Sequence, residues 1–440
     1  MTSTHRSPMV YGFFFVSGIT ALVYEIIWTR MLTLVFGHTV YSVSIVLAAF
    51  MAGLGFGSYV WGHVIDRAVE KEHHPPLLVY AFIEILIFAS AALLTLIFYK
   101  FHVFYAWLHQ WVPESITLFA AIKAVLAFLL MFVPTTFMGA TLPIISKYYV
   151  TDDARLGTQI GYLYALNTLG ASVGCLLTGF LFISLFGVVQ TALIAAAANL
   201  IIGIGCIRIY QEENPDKKVI LRLPRPTWPK VDGSPAQKVW MAVAFLSGMT
   251  ALAYEVLWTR LLVFSIASTV YSFSIMLAVF LLGICLGSLL AIPVIQKARD
   301  LRKALMILQT GIAAYVVFTL FNMEILLSPP WNSYNLEHPM TTFLTYLKDS
   351  SALMLVPTIL LGMNFPILIK LASGGHQRVG SGTGQIYAAN TLGASLGSRV
   401  AGFLLLPYLG TEQSVVVVAT LNLFAVALLF RTGPAPLKVR

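Results

Sequence analysis

Residues 17–30 read SGITALVYEIIWTR and residues 247–260 read SGMTALAYEVLWTR, identical at ten of fourteen positions. Each copy sets a glutamate and an arginine inside an otherwise apolar run. Glu25 and Arg30 recur as Glu255 and Arg260, an offset of 230. The match spreads outward at that offset: TVYS returns at 39–42 and 269–272, and Gly53 and Gly57 align with Gly283 and Gly287. Farther on the offset becomes 223. There VPTTFMGATLPI (133–144) answers VPTILLGMNFPI (356–367), and NTLGAS stands at 167–172 and 390–395. The chain therefore reads as two tandem copies of one unit, 1–208 and 239–440, joined by the Pro- and Lys-rich linker 209–238.

Of the 440 residues, 58% are hydrophobic and 10% charged, against about 25% charged in soluble domains. Apolar runs of ~20 residues are long enough to cross a bilayer as helices. Twelve spans are expected, at 10–36, 40–64, 77–100, 116–146, 158–186, 188–208, 239–265, 269–295, 303–323, 351–370, 383–408 and 413–431. The opening MTSTHRSPMV lacks a small-residue cleavage site, so the first span is read as a retained helix rather than a signal peptide. Cys175, Cys206 and Cys285 fall inside spans and read as small packing residues, with no disulfide framework.

The net charge is +9, and its distribution is a topology signal rather than a nucleic-acid footprint. Of the 27 Lys and Arg, 21 fall on one side of the expected spans and two, Lys100 and Lys348, on the other. Arg30, Lys123, Arg260 and Arg399 lie within spans. The positive-inside rule then puts both termini in the cytoplasm of a protein integral to the cytoplasmic (inner) membrane. The basic side also suits anionic lipid. The segments 101–115 and 324–350 are rich in interfacial aromatics. Their His102, His109 and His338 match no metal-ligand spacing, and neither a metal nor a cofactor is implied.

Six spans return the chain to its starting side, so both units share one orientation and are related by an axis along the membrane normal. The fold class expected is all-α, two parallel six-helix repeats. That is the parallel repeat of major facilitator transporters. GHVIDR (62–67) resembles that superfamily's loop motif in Gly62, Asp66 and Arg67, while the second unit has Gln296 and Lys297 there.

The repeated block also resembles one family more narrowly. Ser17, Gly18, Ala21, Leu22, Tyr24, Glu25, Trp28 and Arg30, with their copies from Ser247 to Arg260, are similar to the membrane part of membrane-anchored spermidine synthase-like proteins, also described as fused facilitator/spermidine synthases. GATLP (139–143) and NTLGA (167–171) belong to the same resemblance, which covers nearly the whole chain. The resemblance implies a polyamine-like solute. It also implies a soluble aminopropyltransferase domain with a glycine-rich nucleotide loop. GLGFG (53–57) and GTGQIY (382–387) have glycine spacing, but they sit in or at the start of spans, and such a loop needs a preceding strand. Synthase activity thus carries over to no residue here, and no catalytic residue is assigned. The expectation is that the enzyme domain was removed from a longer protein, or that the protein acts without it or with a separate cytoplasmic partner.

Glu25 lies ~15 residues into span one, roughly 23 Å along it and near mid-membrane. Glu255 is expected at the same depth in span seven, so the two carboxylates would face one cavity. An ionisable group at that depth faces a partner or water. Two readings fit. In one, Glu25 with Arg30 and Glu255 with Arg260 form interhelical ion pairs that lock the halves. In the other, the glutamates bind substrate or protons, Tyr24, Trp28, Tyr254 and Trp258 form an aromatic wall that attracts cations, and each arginine, about 140° round the helix, reaches a neighbouring helix or the outer interface.

Three charges break the repeat: Glu84 aligns with Ala314, Arg399 with Leu176 and Lys123 with Tyr346. Glu84 and Arg399 suit an asymmetric ligand or, alternatively, one structural pair between halves. Lys123 suits snorkelling. Gly53/Gly57, Gly170/Gly174 and their copies suit close helix packing. Asn167 and Asn390 suit interhelical hydrogen bonds or cavity lining. Pro134, Pro143, Pro357 and Pro366 are expected to kink or break their helices as hinges or ligand sites around Thr141 and Asn364. Asp66 and Arg67 are expected to latch the cytoplasmic side.

The function expected is a transporter that binds or moves a small cationic, polyamine-like solute by alternating access. One rival is a membrane scaffold that docks a synthase-like partner. A second is a membrane-embedded enzyme of polyamine or lipid metabolism, for which no Ser/His pair, metal cluster or nucleotide loop speaks.

Overall fold

The structure, a computed structural model, describes residues 6–36, 40–100, 116–216, 219, 224, 235–263, 270–328 and 339–431. His102, His109, His338, the Lys123 side chain and most of the linker lie outside the described residues.

Backbone polar groups cannot be left unpaired in hydrocarbon, so apolar spans close their hydrogen bonds internally as helices. The first unit contains α1 (Met9–Phe36), α2 (Val40–Lys71), α3 (Pro76–Tyr99), α4 (Ile116–Tyr149), α5 (Leu156–Leu177) and α6 (Ile183–Glu213). The second contains α7 (Pro235–Leu262), α8 (Val270–Lys297), α9 (Leu301–Phe321), α10 (Val356–Ala372), α11 (Val379–Arg399) and α12 (Leu406–Phe430). No strand occurs among the described residues. Start signals are local: Pro76 opens α3 at a position needing no N–H, and the Asp300 carboxylate caps α9 by accepting from the N–H groups of Arg302 and Lys303.

Two π-helical turns at Thr178–Phe182 and Val400–Leu405 carry α5 into α6 and α11 into α12. The chain turns back at Gly187 (φ 77°) and Gly410 (φ 72°), one offset of 223 apart. Their backbone, with ψ near 180°, is tolerated essentially by glycine alone. These glycines fall where the expected boundaries between spans five and six, and eleven and twelve, were drawn.

The prolines do not end their helices. α4 runs as one helix through Pro134 and Pro143. Pro357 comes just after a π-helical turn, Ser351–Leu355, that joins α10 to the preceding helical stretch Pro339–Ser350, and Pro366 lies within α10 without ending it. No broken helix results. Thr135 and Thr136 hydroxyls donate to Met131 O (2.8 Å) and Phe132 O (2.6 Å), close to the turn that Pro134 disturbs, as hydroxyls do for such turns in membranes.

Packing repeats between the halves. α2 lies on α4, α3 on α4 and α6, and α1 on α5 and α6. Correspondingly α8 lies on α10, α9 on α10 and α12, and α7 on α11 and α12. Close approach of α1 to α5 needs Gly18, where a Cβ would come within 2.2 Å of Asn167 O. Gly248 meets Asn390 O in the same way at 1.9 Å. The halves meet along two equivalent seams, α2 with α11 and α8 with α5. Between the seams a central cavity remains.

Candidate functional site

The cavity has a volume of about 230 Å³ and takes walls from both halves. Glu25 from α1 and Glu255 from α7 both line it, and each lies within electrostatic reach of the other. Among the described residues neither forms an ion pair. The lining is otherwise mostly apolar, including Leu22, Leu54, Phe50, Met138, Phe280 and Leu281. Asn167 and Asn390 serve in both of their expected capacities. Each lines the cavity, and their side-chain amides donate to Phe14 O (3.3 Å) and Ala244 O (3.2 Å). Thr141 lines the cavity as well; its equivalent Asn364 is buried away from it.

Tyr164 and Tyr387 are lining residues that the sequence reading missed. Phe365 stands between them, its ring centroid 4.2 Å from that of Tyr164 and 5.8 Å from that of Tyr387. The signal was available: both tyrosines stand three residues before the repeated asparagines, at the same offset of 223.

The aromatic wall expected from the repeated block is elsewhere. Tyr24, Trp28, Tyr254 and Trp258 are fully buried and do not line the cavity. Tyr24 stacks on Trp28 at 4.9 Å and Tyr254 on Trp258 at 5.3 Å. The reason is helical geometry: Tyr24 and Trp28 lie about 100° and 60° round α1 from Glu25, on the same side. A motif continuous in sequence is thus divided between the cavity and the interior of its own bundle.

The ion-pair readings also fail. Arg30 and Arg260 are exposed at the far ends of α1 and α7, unpaired with Glu25 or Glu255. Arg399 is half-buried at the end of α11 and does not meet Glu84. Glu84 is fully buried in its own bundle, where it accepts from Ser17 Oγ (2.7 Å) and Asn199 Nδ2 (2.6 Å). Asn199 Oδ1 accepts from the Tyr24 hydroxyl at 2.8 Å, and its Nδ2 also lies 3.2 Å from Thr20 Oγ1.

The second half repeats this network and corrects the alignment of Glu84. Asn422 Oδ1 accepts from Tyr254 (2.9 Å), and Asn422 Nδ2 approaches Thr250 Oγ1 (3.4 Å) and Gln309 Oε1 (2.6 Å). Gln309, not Ala314, occupies the place of Glu84, at an offset of 225. The register shifts because α8 (28 residues) is shorter than α2 (32 residues) and the connection that follows is shorter as well.

On the face that holds both ends of the described chain, the halves are fastened. Asp66, at the end of α2, pairs with Lys147 at 2.9 Å and accepts from the N–H groups of Gly380 (3.1 Å) and Ser381 (2.7 Å). A carboxylate at the first turn of α11 also meets the positive end of that helix. Arg67, expected beside it as a latch, is exposed and takes no part in these contacts. Lys147 donates to Gln377 O, and its repeat equivalent Lys370 donates to Asp153 O at 2.5 Å. Asp153 and His376, themselves equivalent positions, meet each other, with Nδ1 and Oδ1 2.7 Å apart.

The family model described as Major Facilitator Superfamily matches residues 13–398. Among solved structures, the chain is similar to a bacterial homologue of the iron transporter ferroportin in its outward-facing state, with TM-score 0.59, 11% identity, and 96% of this chain and 98% of that one covered. It is similar to the human organic anion transporter TETRAN (TM-score 0.55, 12% identity, covering 96% of this chain and all, 100%, of that one). The transporter FucP in its outward conformation is similar at TM-score 0.53 and 13% identity, with 96% and 100% of the two chains covered. Among curated protein sequences none matches.

Proposed function

This chain belongs to the major facilitator superfamily, and on that premise we propose that it carries a small cationic, polyamine-like solute across the membrane by alternating access. One observation carries the reading. Two carboxylates from equivalent places in the two halves line one cavity, and no described cation pairs with either. Carboxylates at two points between apolar walls suit a solute with ammonium groups on a methylene chain, since each charge meets a charge and each methylene an apolar surface. Tyr164 and Tyr387 offer ring faces for cation–π contact.

In this reading the units 1–208 and 239–440 rock about the cavity, and the contacts of Asp66 with Gly380 and Ser381, of Lys147 with Gln377 and of Lys370 with Asp153 hold one face shut while the solute binds. The basic residues of that face support its lying on the cytoplasmic side of the inner membrane.

The test is uptake of labelled spermidine and putrescine into liposomes holding the purified chain, with and without a pH gradient. Wild type is expected to accumulate label. The double variant Glu25→Gln, Glu255→Gln is expected to lose at least about tenfold, because the ~1.4 kcal/mol behind that factor is less than one charge-assisted contact supplies. Failure of folded wild type to take up either compound would overturn the polyamine reading and favour the scaffold that docks a synthase-like partner.

A further inference from the structure

The two hydrogen-bonded networks beside the cavity serve as controls for each other. In the second half a carboxamide, Gln309, completes the network with Asn422, Tyr254 and Thr250. The architecture therefore closes without an acid. In the first half the same place holds Glu84, fully buried. The titratable groups facing it are Tyr24 from α1, Cys206 from α6 and Tyr80 from α3 itself, and α4 brings none among the described residues. No described cation lies within ion-pair distance. A buried carboxyl with no counter-ion accepts at both oxygens, as Glu84 does from Ser17 and Asn199, and it can also take up and release a proton, which glutamine cannot.

We propose that Glu84 is a proton-exchange site, present in one half only, that communicates with the cavity through Ser17. The geometry assigns the oxygen. Asn199 is held in one orientation because its Oδ1 accepts from Tyr24, so its Nδ2 can only donate to Glu84 Oε2. The incoming proton is then assigned to Oε1, opposite Ser17 Oγ, with the Tyr80 hydroxyl as the other polar group beside the carboxyl. A hydroxyl can accept as well as donate. When a hydrated proton from the cavity adds to Oε1, the new O–H donates to Ser17 Oγ, and the Ser17 hydrogen is freed from Glu84. Ser17 and Asn199 both line the cavity. The freed hydrogen becomes a donor at the cavity wall, so the solute meets a different wall in the two protonation states. Release of the proton reverses each step and restores the carboxylate. In the second half Gln309 Nε2 has no partner among the described residues, and no equivalent exchange arises there.

The use of this proton in transport rests on the reading above, but its presence does not. The first experiment therefore needs no solute: infrared titration of the carboxylic-acid carbonyl stretch in purified wild type and in Glu84→Gln. Glutamine already fills this place in the other half, so the variant is expected to fold. The wild-type-minus-variant spectrum should contain one carboxyl that appears and disappears with pH. Ser17→Ala should keep that carboxyl and shift its midpoint. Gln309→Glu should add a second titrating carboxyl. Identical pH-difference spectra for wild type and Glu84→Gln would overturn the proposal, whatever the liposome assay reports. Should a solute be carried, Glu84→Gln is further expected to retain solute exchange at equilibrium while losing accumulation driven by a pH gradient. Unchanged gradient-driven accumulation would overturn the coupling role.

Discussion

Glu25 and Tyr24 are neighbours in sequence and point about 100° apart round α1. The carboxylate reaches the cavity, while the phenol holds Asn199 within the bundle. The two should fail differently. Tyr24→Phe leaves Asn199 Oδ1 without its donor and is expected to cost about 1–3 kcal/mol of stability, seen as a lower thermal midpoint in detergent. Solute exchange at equilibrium by the surviving folded fraction should be unchanged. Tyr24→Phe with full stability and no uptake would instead put this hydroxyl in the solute's path. The residue scale is also where the sequence was hardest to read. Repetition marked Glu25, Asn167 and their copies as special, but an alignment assigns no direction to a side chain. It set Tyr24 and Trp28 on the cavity wall with Glu25 and paired Glu84 with Ala314. Only the shared asparagine contacts identify Gln309 as the counterpart.

At the scale of elements, the all-helical spans in two repeated sets and the close packing at repeated glycines were legible, because apolar length and repeated glycines are properties of the chain itself. How each proline is accommodated was not. A proline's lost hydrogen bond is tolerated when nearby hydroxyls and neighbouring helices support the turn, and that support is visible only in three dimensions. The glycines give a sharper test. Gly18→Ala would press a methyl group into the α5 backbone at Asn167, and overpacking of this kind costs about 1–3 kcal/mol or more. Gly12, in the same helix, has nothing within 4 Å of an added Cβ. Gly12→Ala should be neutral or stabilising by up to ~1 kcal/mol. Comparing denaturation midpoints of the two variants separates a packing effect from a general helix effect. Equal midpoints would contradict the close crossing of α1 and α5.

For the whole molecule, the relevant quantity is the balance between a fastened and an open face. Lys147→Ala removes a largely buried ion pair with Asp66 and one inter-half hydrogen bond. A loss of ~1–2 kcal/mol from the fastened state would move the balance roughly five- to thirty-fold. Spin-label distances between the ends of α4 and α10 should then broaden toward longer values, and an unchanged distribution would remove the clasp from any gating role. Acid should loosen the same face. The hydrogen bonds that Asp153 accepts from the His376 backbone and ring hold its carboxyl below the usual range. A group lowered in this way favours the joined state above its free value, and that help fades as pH falls through the lowered one. The spin-label distances should therefore lengthen below the usual carboxylate range, and Asp153→Asn should flatten that part of the profile.

The reciprocal lysines have a consequence for how sequence can drift. Lys147 and Lys370 each grip a main-chain oxygen of the opposite half, at Gln377 and Asp153. Every amino acid supplies such an oxygen. The gripped positions are free to vary without slackening this part of the hold, whereas the gripping ones are not. A saturation-mutagenesis map of the protein would then show an intolerant Lys147 facing a tolerant Gln377, while at Asp153 any constraint would come from the carboxylate that meets His376 and not from the oxygen that Lys370 grips.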